Sequence, residues 1–241
     1  MFFHAHLYFS EKIFNLKQDD LLVIGSILPD IAVTKIVGWE ELHKNKSVEH
    51  FEKFIKENNQ NYISLIKGIK SHIALDNFTH KSYKNGTGYA FQKSPPLVNL
   101  VSKCCDIDKK SSKTVAHNFI EMAVDILLLK DNPILIETLR KSIKSSDKGK
   151  LSQLLSSFFK KDNKKMLSSL SYYFETILKY NLNSLDGWVF LWRDINNLLF
   201  SKEIDKDLTK KTIIKATHLV KNSYREFLKN SIMVTKNSLI K

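Results

Sequence analysis

Metal-ligand side chains recur at four-residue spacing in the stretch Gly68-Ile-Lys-Ser-His72-Ile-Ala-Leu-Asp76-Asn-Phe-Thr-His80. On an α-helix, positions i, i+4 and i+8 form one stripe. Ile69, Ile73, Leu75 and Phe78 flank that stripe with apolar side chains. The pattern predicts a half-buried helix that turns two imidazoles and a carboxylate the same way. Zinc and similar borderline metals take this mixed nitrogen and oxygen donor set. Taken alone, the stretch reads equally well as a helix with one buried, hydrogen-bonded histidine. The pattern returns, however, at His117, Glu121 and Asp125, again among apolar residues: Val115, Phe119, Ile120, Met122, Val124 and Ile126. A second such helix in one chain is hard to assign to chance.

The 241 residues are enough for a well-buried core. Seven Gly and four Pro are few for this length, and the chain is rich in Leu, Ile, Lys and Ser. Few turn-formers argue for helices. The expected fold is all-α, a multi-helix bundle with a metal cluster between core helices. Expected boundaries place a metal-binding catalytic region at 1–130 and a further helical region, packed on it, at 131–241. The formal charge is +13, with 35 Lys and only three Arg against 25 Asp and Glu. A nucleic-acid reader would use Arg for bidentate contacts. Lysine instead gives a diffuse positive field that attracts anionic substrates or a membrane surface. Cys104 and Cys105 are adjacent, a geometry poor for a disulfide, and read as ordinary thiols. No apolar run approaches the length of a transmembrane helix, and the start lacks a signal-peptide pattern, so the expected location is cytoplasmic.

Along the chain, residues 2–16 form a first helix carrying His4 and His6, which point to different sides, so at most one serves a given site. Asp19 starts a nearly apolar run that Pro29 interrupts, leaving Asp30 as its one acid. An acid in such a run needs a cation, hydrogen-bond donors or a metal, unless it merely caps a turn. Residues 39–46 and 82–96 read as loops, and 203–240 as one amphipathic helix. Helices are also expected at 47–58, 61–80, 111–130, 134–145, 151–160, 164–181 and 185–200. Tyr172, Tyr173, Phe174, Trp188, Phe190, Trp192 and Phe200 read as core.

Seven of the eight histidines fall in the first 117 residues. Five signals occur in order: the early His, Gly-x-x-x-Pro-Asp at Gly25 to Asp30, His43-Lys44, Gly-x-x-x-His-x-x-x-Asp at Gly68 to Asp76, and His-x-x-x-Glu at His117 to Glu121. Over residues 4–130 this order and spacing resembles the zinc-dependent phospholipase C family, within the phospholipase C and P1-type nuclease superfamily. The start also resembles the acyl-carrier-protein phosphodiesterases. The phospholipase resemblance implies an all-helical fold and a compact zinc cluster. It implies one site from Asp30, His43, His72 and Asp76, and a second from His80, His117 and Glu121. Asp76 would bridge to a third site built with His6, which secreted members complete with a processed N-terminal residue. This chain keeps its initiator end, so two zinc ions are expected and a third is less secure. His4 for His6 and His50 for His43 stay open as alternatives, and Asp125 is a candidate to orient a ligand histidine.

The implied activity is phosphoester hydrolysis, metal-bound water attacking phosphorus, with Asp30 and Asp76 as the catalytic carboxylates. Manganese and iron accept similar donors. The expected partner is an anionic phosphorylated substrate. Two readings from other classes compete: a non-catalytic helical protein stabilised by metal, and a basic helical module that binds nucleic acid or anionic membrane.

Overall fold

The computed structural model describes residues 3–16, 19–83 and 86–239. Among them every regular element is helical, with no strand. In chain order the α-helices are α1 (Phe3–Phe14), α2 (Asp20–Ile27), α3 (Trp39–His43), α4 (Asn45–Asn58), α5 (Ile63–His80), α6 (Tyr89–Lys93), α7 (Val98–Cys104), α8 (Lys109–Asp131), α9 (Ile134–Ser145), α10 (Lys148–Phe159), α11 (Asn163–Lys179), α12 (Leu185–Phe200), α13 (Lys206–Val220) and α14 (Tyr224–Leu239). No described helix is long and apolar enough to cross a membrane.

Local chemistry explains the starts. Asp19, Asp108, Asp147, Ser184 and Asp205 each accept a backbone N–H in the first turn of the helix that follows. After α2 the chain tightens into a 3-10 helix, Leu28–Thr34, with Pro29 in its first turn. Proline lacks an N–H and suits such a position.

Three expectations need correction. Residues 39–46 are not a loop: α3 forms because the Glu41 carboxylate accepts the Gly38 N–H and closes a short turn. The 82–96 segment contains α6, followed by a 3-10 turn at Pro95–Leu97. The 203–240 stretch is two helices, separated where the Ser223 N–H bonds to the Val220 carbonyl. Of the aromatic set, Tyr173, Phe174, Trp188 and Trp192 are buried, whereas Tyr172 is 43% exposed.

The chain divides into two compact units. One comprises Met1–Ala5, Leu75–Pro133 and Tyr180–Met233. In it α8 is the central rod, packed by α6, α7 and α13, with α12 against α13. The Trp192 ring meets Phe119 edge to face at 5.0 Å, and its indole N–H points at Cys105 Sγ at 3.3 Å. Cys104 and Cys105 are both buried free thiols. Tyr89 stacks on Phe227 at 4.2 Å, with Tyr83 edge-on to both.

The other unit comprises His6–Ala74, Ile134–Lys179 and Val234–Lys241. Here α2 lies against α9, and Ser142 and Ser145 on α9 donate hydroxyls to the Asp20 carboxylate at 2.6 and 2.7 Å. The α10–α11 hairpin brings Phe158 within 4.6 Å of Phe51 on α4. α2 crosses α5 at close range. A Cβ on Gly25 would be driven into the Leu65 carbonyl, and one on Gly68 into the backbone of Leu22 and Ser26. Only glycine at both positions lets the two backbones meet.

Gly68→Ala is therefore expected to destabilise the protein by about 2 kcal/mol or more, since backbone cannot move aside as a side chain can. In a thermal melt this is a Tm lower by roughly 4–8 °C. An unchanged Tm would mean the crossing is looser than described.

Candidate metal centre

Within the second unit, α5 supplies His72, α3 ends on His43, and the 3-10 helix after α2 supplies Asp30. One donor atom from each lies within 4.8 Å of the other two. Side chains around a single zinc ion, each about 2 Å from it, span a distance of this order. The ring orientations are fixed from behind. His72 Nδ1 lies 2.8 Å from the Ser26 carbonyl and His43 Nδ1 lies 2.9 Å from the Trp39 carbonyl. A carbonyl can only accept, so Nδ1 carries a proton in both rings, and in the neutral imidazole Nε2 then has the lone pair. That is the tautomer a metal-ligating imidazole needs, held by the backbone hydrogen bond that commonly supports one. Asp30 is 9% exposed, and its Oδ2 is buried with no hydrogen-bond donor. A buried carboxylate oxygen without a donor is costly unless a cation takes the place. The donor set thus fits zinc. His6 stacks flat on His72, ring centroids 3.7 Å apart. Trp39, 53% exposed, stacks on His43 at 3.4 Å. Behind Asp30, Tyr173 donates its hydroxyl to the Ile27 carbonyl at 2.7 Å. Burial, reinforced by the charge of Asp30, pushes that phenol well above its ordinary pKa.

Within the first unit, His80 at the end of α5 meets His117 and Glu121 on α8, again with donor atoms inside 4.8 Å. His80 Nε2 lies 2.7 Å from Glu121 Oε1, and His117 Nε2 lies 3.7 Å from the same oxygen. His117 Nδ1 faces the Thr114 carbonyl, repeating the arrangement at His72 and His43. Glu121 is 1% exposed. Burial alone would raise its pKa, but neighbouring positive charge together with the His80 hydrogen bond holds it well below the usual carboxylate range. His80 is raised: burial opposes this, and the Glu121 hydrogen bond and the charges of Glu121 and Asp76 outweigh it. His117 is lowered, chiefly by burial. An ionised carboxylate with a neutral imidazole beside it is a donor set that suits zinc. Asp76 sits one turn before His80 on α5, its Oδ2 3.9 Å from His80 Nδ1.

The alternative histidines of the two pairs stand in different places. His43, not His50, stands beside Asp30 and His72; His50 is exposed on α4. His6, not His4, stacks on His72, while His4 belongs to a different structure. Asp125 Oδ2 accepts the His4 backbone N–H at 3.0 Å and faces His4 Nδ1 at 3.1 Å, and Oδ1 accepts the Ala5 N–H at 2.9 Å. A carboxylate on α8 thereby caps the first turn of α1, whose N–H groups have no partner within their own helix. Asp125 does orient a histidine, but that histidine packs edge-on to Trp188 at 6.0 Å, outside both ligand groups.

Sequence reading missed the two rings that cover the histidines. Phe91 on α6 lies 4.7 Å from the His117 ring and 5.9 Å from His80. It falls in the segment read as a loop. Trp39 precedes His43 by four residues, a spacing that could have signalled their contact had the helix been seen.

A family model described as zinc dependent phospholipase C matches residues 3–173. The chain belongs to the zinc-dependent phospholipase C family. No curated protein and no solved structure matches it. Family membership supports a metal-dependent phospholipid hydrolase, and the matched span includes both ligand groups.

Asp125→Ala would leave the buried N–H groups of His4 and Ala5 without an acceptor. The expected cost is about 3 kcal/mol, read as a lower denaturant midpoint, with Asp125→Asn losing less because one acceptor oxygen remains. Equal losses in the two variants would contradict the capping role.

Proposed function

We propose that the protein hydrolyses the phosphodiester of a phospholipid, with one zinc ion held by Asp30, His43 and His72 and a second by His80, His117 and Glu121. The observation that carries this reading is the repeated tautomer lock. His43, His72 and His117 each turn Nδ1 to a backbone carbonyl and present Nε2 to a group that includes a carboxylate. Such bonds organise imidazoles as ligands. Asp76, one helical turn from His72 and from His80 along α5, is proposed as a further carboxylate ligand.

Bound zinc supplies Lewis acidity toward the phosphoryl oxygens and lowers the pKa of water that it binds. The chain's own residues do the rest. The Asp76 carboxylate, 3.9 Å from His80 Nδ1, takes a proton from the attacking water. The new phosphorus–oxygen bond forms as the bond to the glycerol oxygen breaks. The proton passes to that oxygen, leaving diacylglycerol and a phosphorylated headgroup. Phe91 and Trp39 cover the histidine rings with apolar surface and limit competing water. The positive field of the chain draws the anionic substrate in.

Two classes of zinc site should be separable by substitution. Asp30→Asn and His43→Ala are expected to remove about one equivalent of zinc each, and together no more than either alone. Glu121→Gln and His117→Ala should remove a different equivalent. Each variant should also lower phosphodiesterase activity by about 100-fold or more. Elemental analysis and hydrolysis of a short-chain phospholipid check this. A variant of either group with full metal content and wild-type rate would remove that group from the site.

A further inference from the structure

The ligand stripe on α8 does not end at His117. One turn back lies Lys113, and one turn further Lys109, so Lys109, Lys113, His117 and Glu121 follow one another at four-residue spacing. Four residues of helix advance about 6 Å. The stripe therefore runs from carboxylate to imidazole to two ammonium groups over little more than three turns. Both lysines are exposed at the edge of a groove of about 430 Å³, lined also by Phe91, Pro95, Val98 and Asn99. Phe91 belongs to both places: it forms a wall of the groove, and its ring packs on His117 at 4.7 Å. Two other lysines of this unit are paired with carboxylates, Lys202 with Asp106 and Lys210 with Asp186, both at 2.8 Å. No carboxylate among the described residues pairs with Lys109 or Lys113.

We infer that this groove is a headgroup subsite for a second anionic group, so that the chain favours phospholipids whose headgroup carries a negative charge beyond the scissile phosphate. The inference rests on the hydrolase reading above, because the phosphorus must lie at the His80–His117–Glu121 group. A carboxylate two carbons from the phosphoester oxygen, as in a serine headgroup, then comes within reach of Lys113, one helical turn from His117. Lys109 extends the same field outward. Phe91, Pro95 and Val98 give the carbon skeleton between the two charges an apolar wall. Lysine suits this task as a mobile point charge that follows a flexible headgroup. The two lysines are specificity residues, held on a helix that also carries two of the proposed ligands.

The test uses a matched pair of probes that differ by one carboxylate, O-phosphoserine and phosphoethanolamine, titrated into the zinc-loaded full chain. O-phosphoserine is expected to bind about tenfold tighter. Lys109→Gln combined with Lys113→Gln should abolish the preference while leaving phosphoethanolamine affinity within about twofold and the circular dichroism unchanged. Equal binding of the two probes, or a preference that survives the double substitution, would overturn the subsite. Hydrolysis of dihexanoyl phosphatidylserine and dihexanoyl phosphatidylethanolamine separates this from the reading it rests on. If both lipids are cleaved equally by wild type and variant, the subsite fails and the hydrolase stands. If the probe preference depends on the lysines and neither lipid is cleaved, the hydrolase reading fails and the anion subsite stands.

Discussion

Gly25 and Gly68 let α2 and α5 meet backbone to backbone, and the geometry of one ligand group follows from that contact. With the helices this close, the Ser26 carbonyl reaches His72 Nδ1 and fixes which ring nitrogen keeps its lone pair. The chain leaving α2 can then turn within one 3-10 helix and deliver Asp30 beside the same histidine. The proline that ends α2 and the aspartate that follows it are thus parts of one device. A larger residue at either glycine would move His72 away from its supporting carbonyl before it changed any ligand chemically.

The same economy appears on α8, where one face carries several charge types in sequence. Asp125 is spent on the fold, holding the first turn of α1 through two backbone N–H groups. Glu121 and His117 face His80. Lys113 and Lys109 border the groove beyond. A single helical stripe therefore passes from structural anchor to the proposed metal ligands to the proposed anion-binding edge. The buried carboxylate Glu121 is kept ionised by neighbouring positive charge and the His80 hydrogen bond, against the pull of burial.

Much of this was legible in the sequence because helical period makes ligand spacing visible. His72, Asp76 and His80, and then His117 and Glu121, announce themselves at four-residue intervals among apolar residues. Asp30 stood out for the opposite reason, as a lone acid in an apolar run. What stayed hidden was tertiary or very local. Asp125 shares the stripe and residue type of a ligand, and only the long-range return of α1 to its carboxylate gives it another task. The helices α3 and α6 are five residues each, too short for a periodic signal, so Trp39 and Phe91 could not be placed against the histidines. The break in the last predicted helix falls at a polar Lys-Asn-Ser turn with neither Gly nor Pro to mark it.

The central claim is that the histidine and carboxylate groups hold zinc for phosphoester hydrolysis. The most direct measurement is the metal content of the untagged protein, purified without chelators, together with its rate on a soluble phosphodiester before and after dialysis against a chelator. The account predicts at least two equivalents of zinc per chain, with activity lost on chelation and restored by added zinc. Protein that is folded, carries no metal, takes up none from zinc-containing buffer and shows no chelator-sensitive hydrolysis would contradict it.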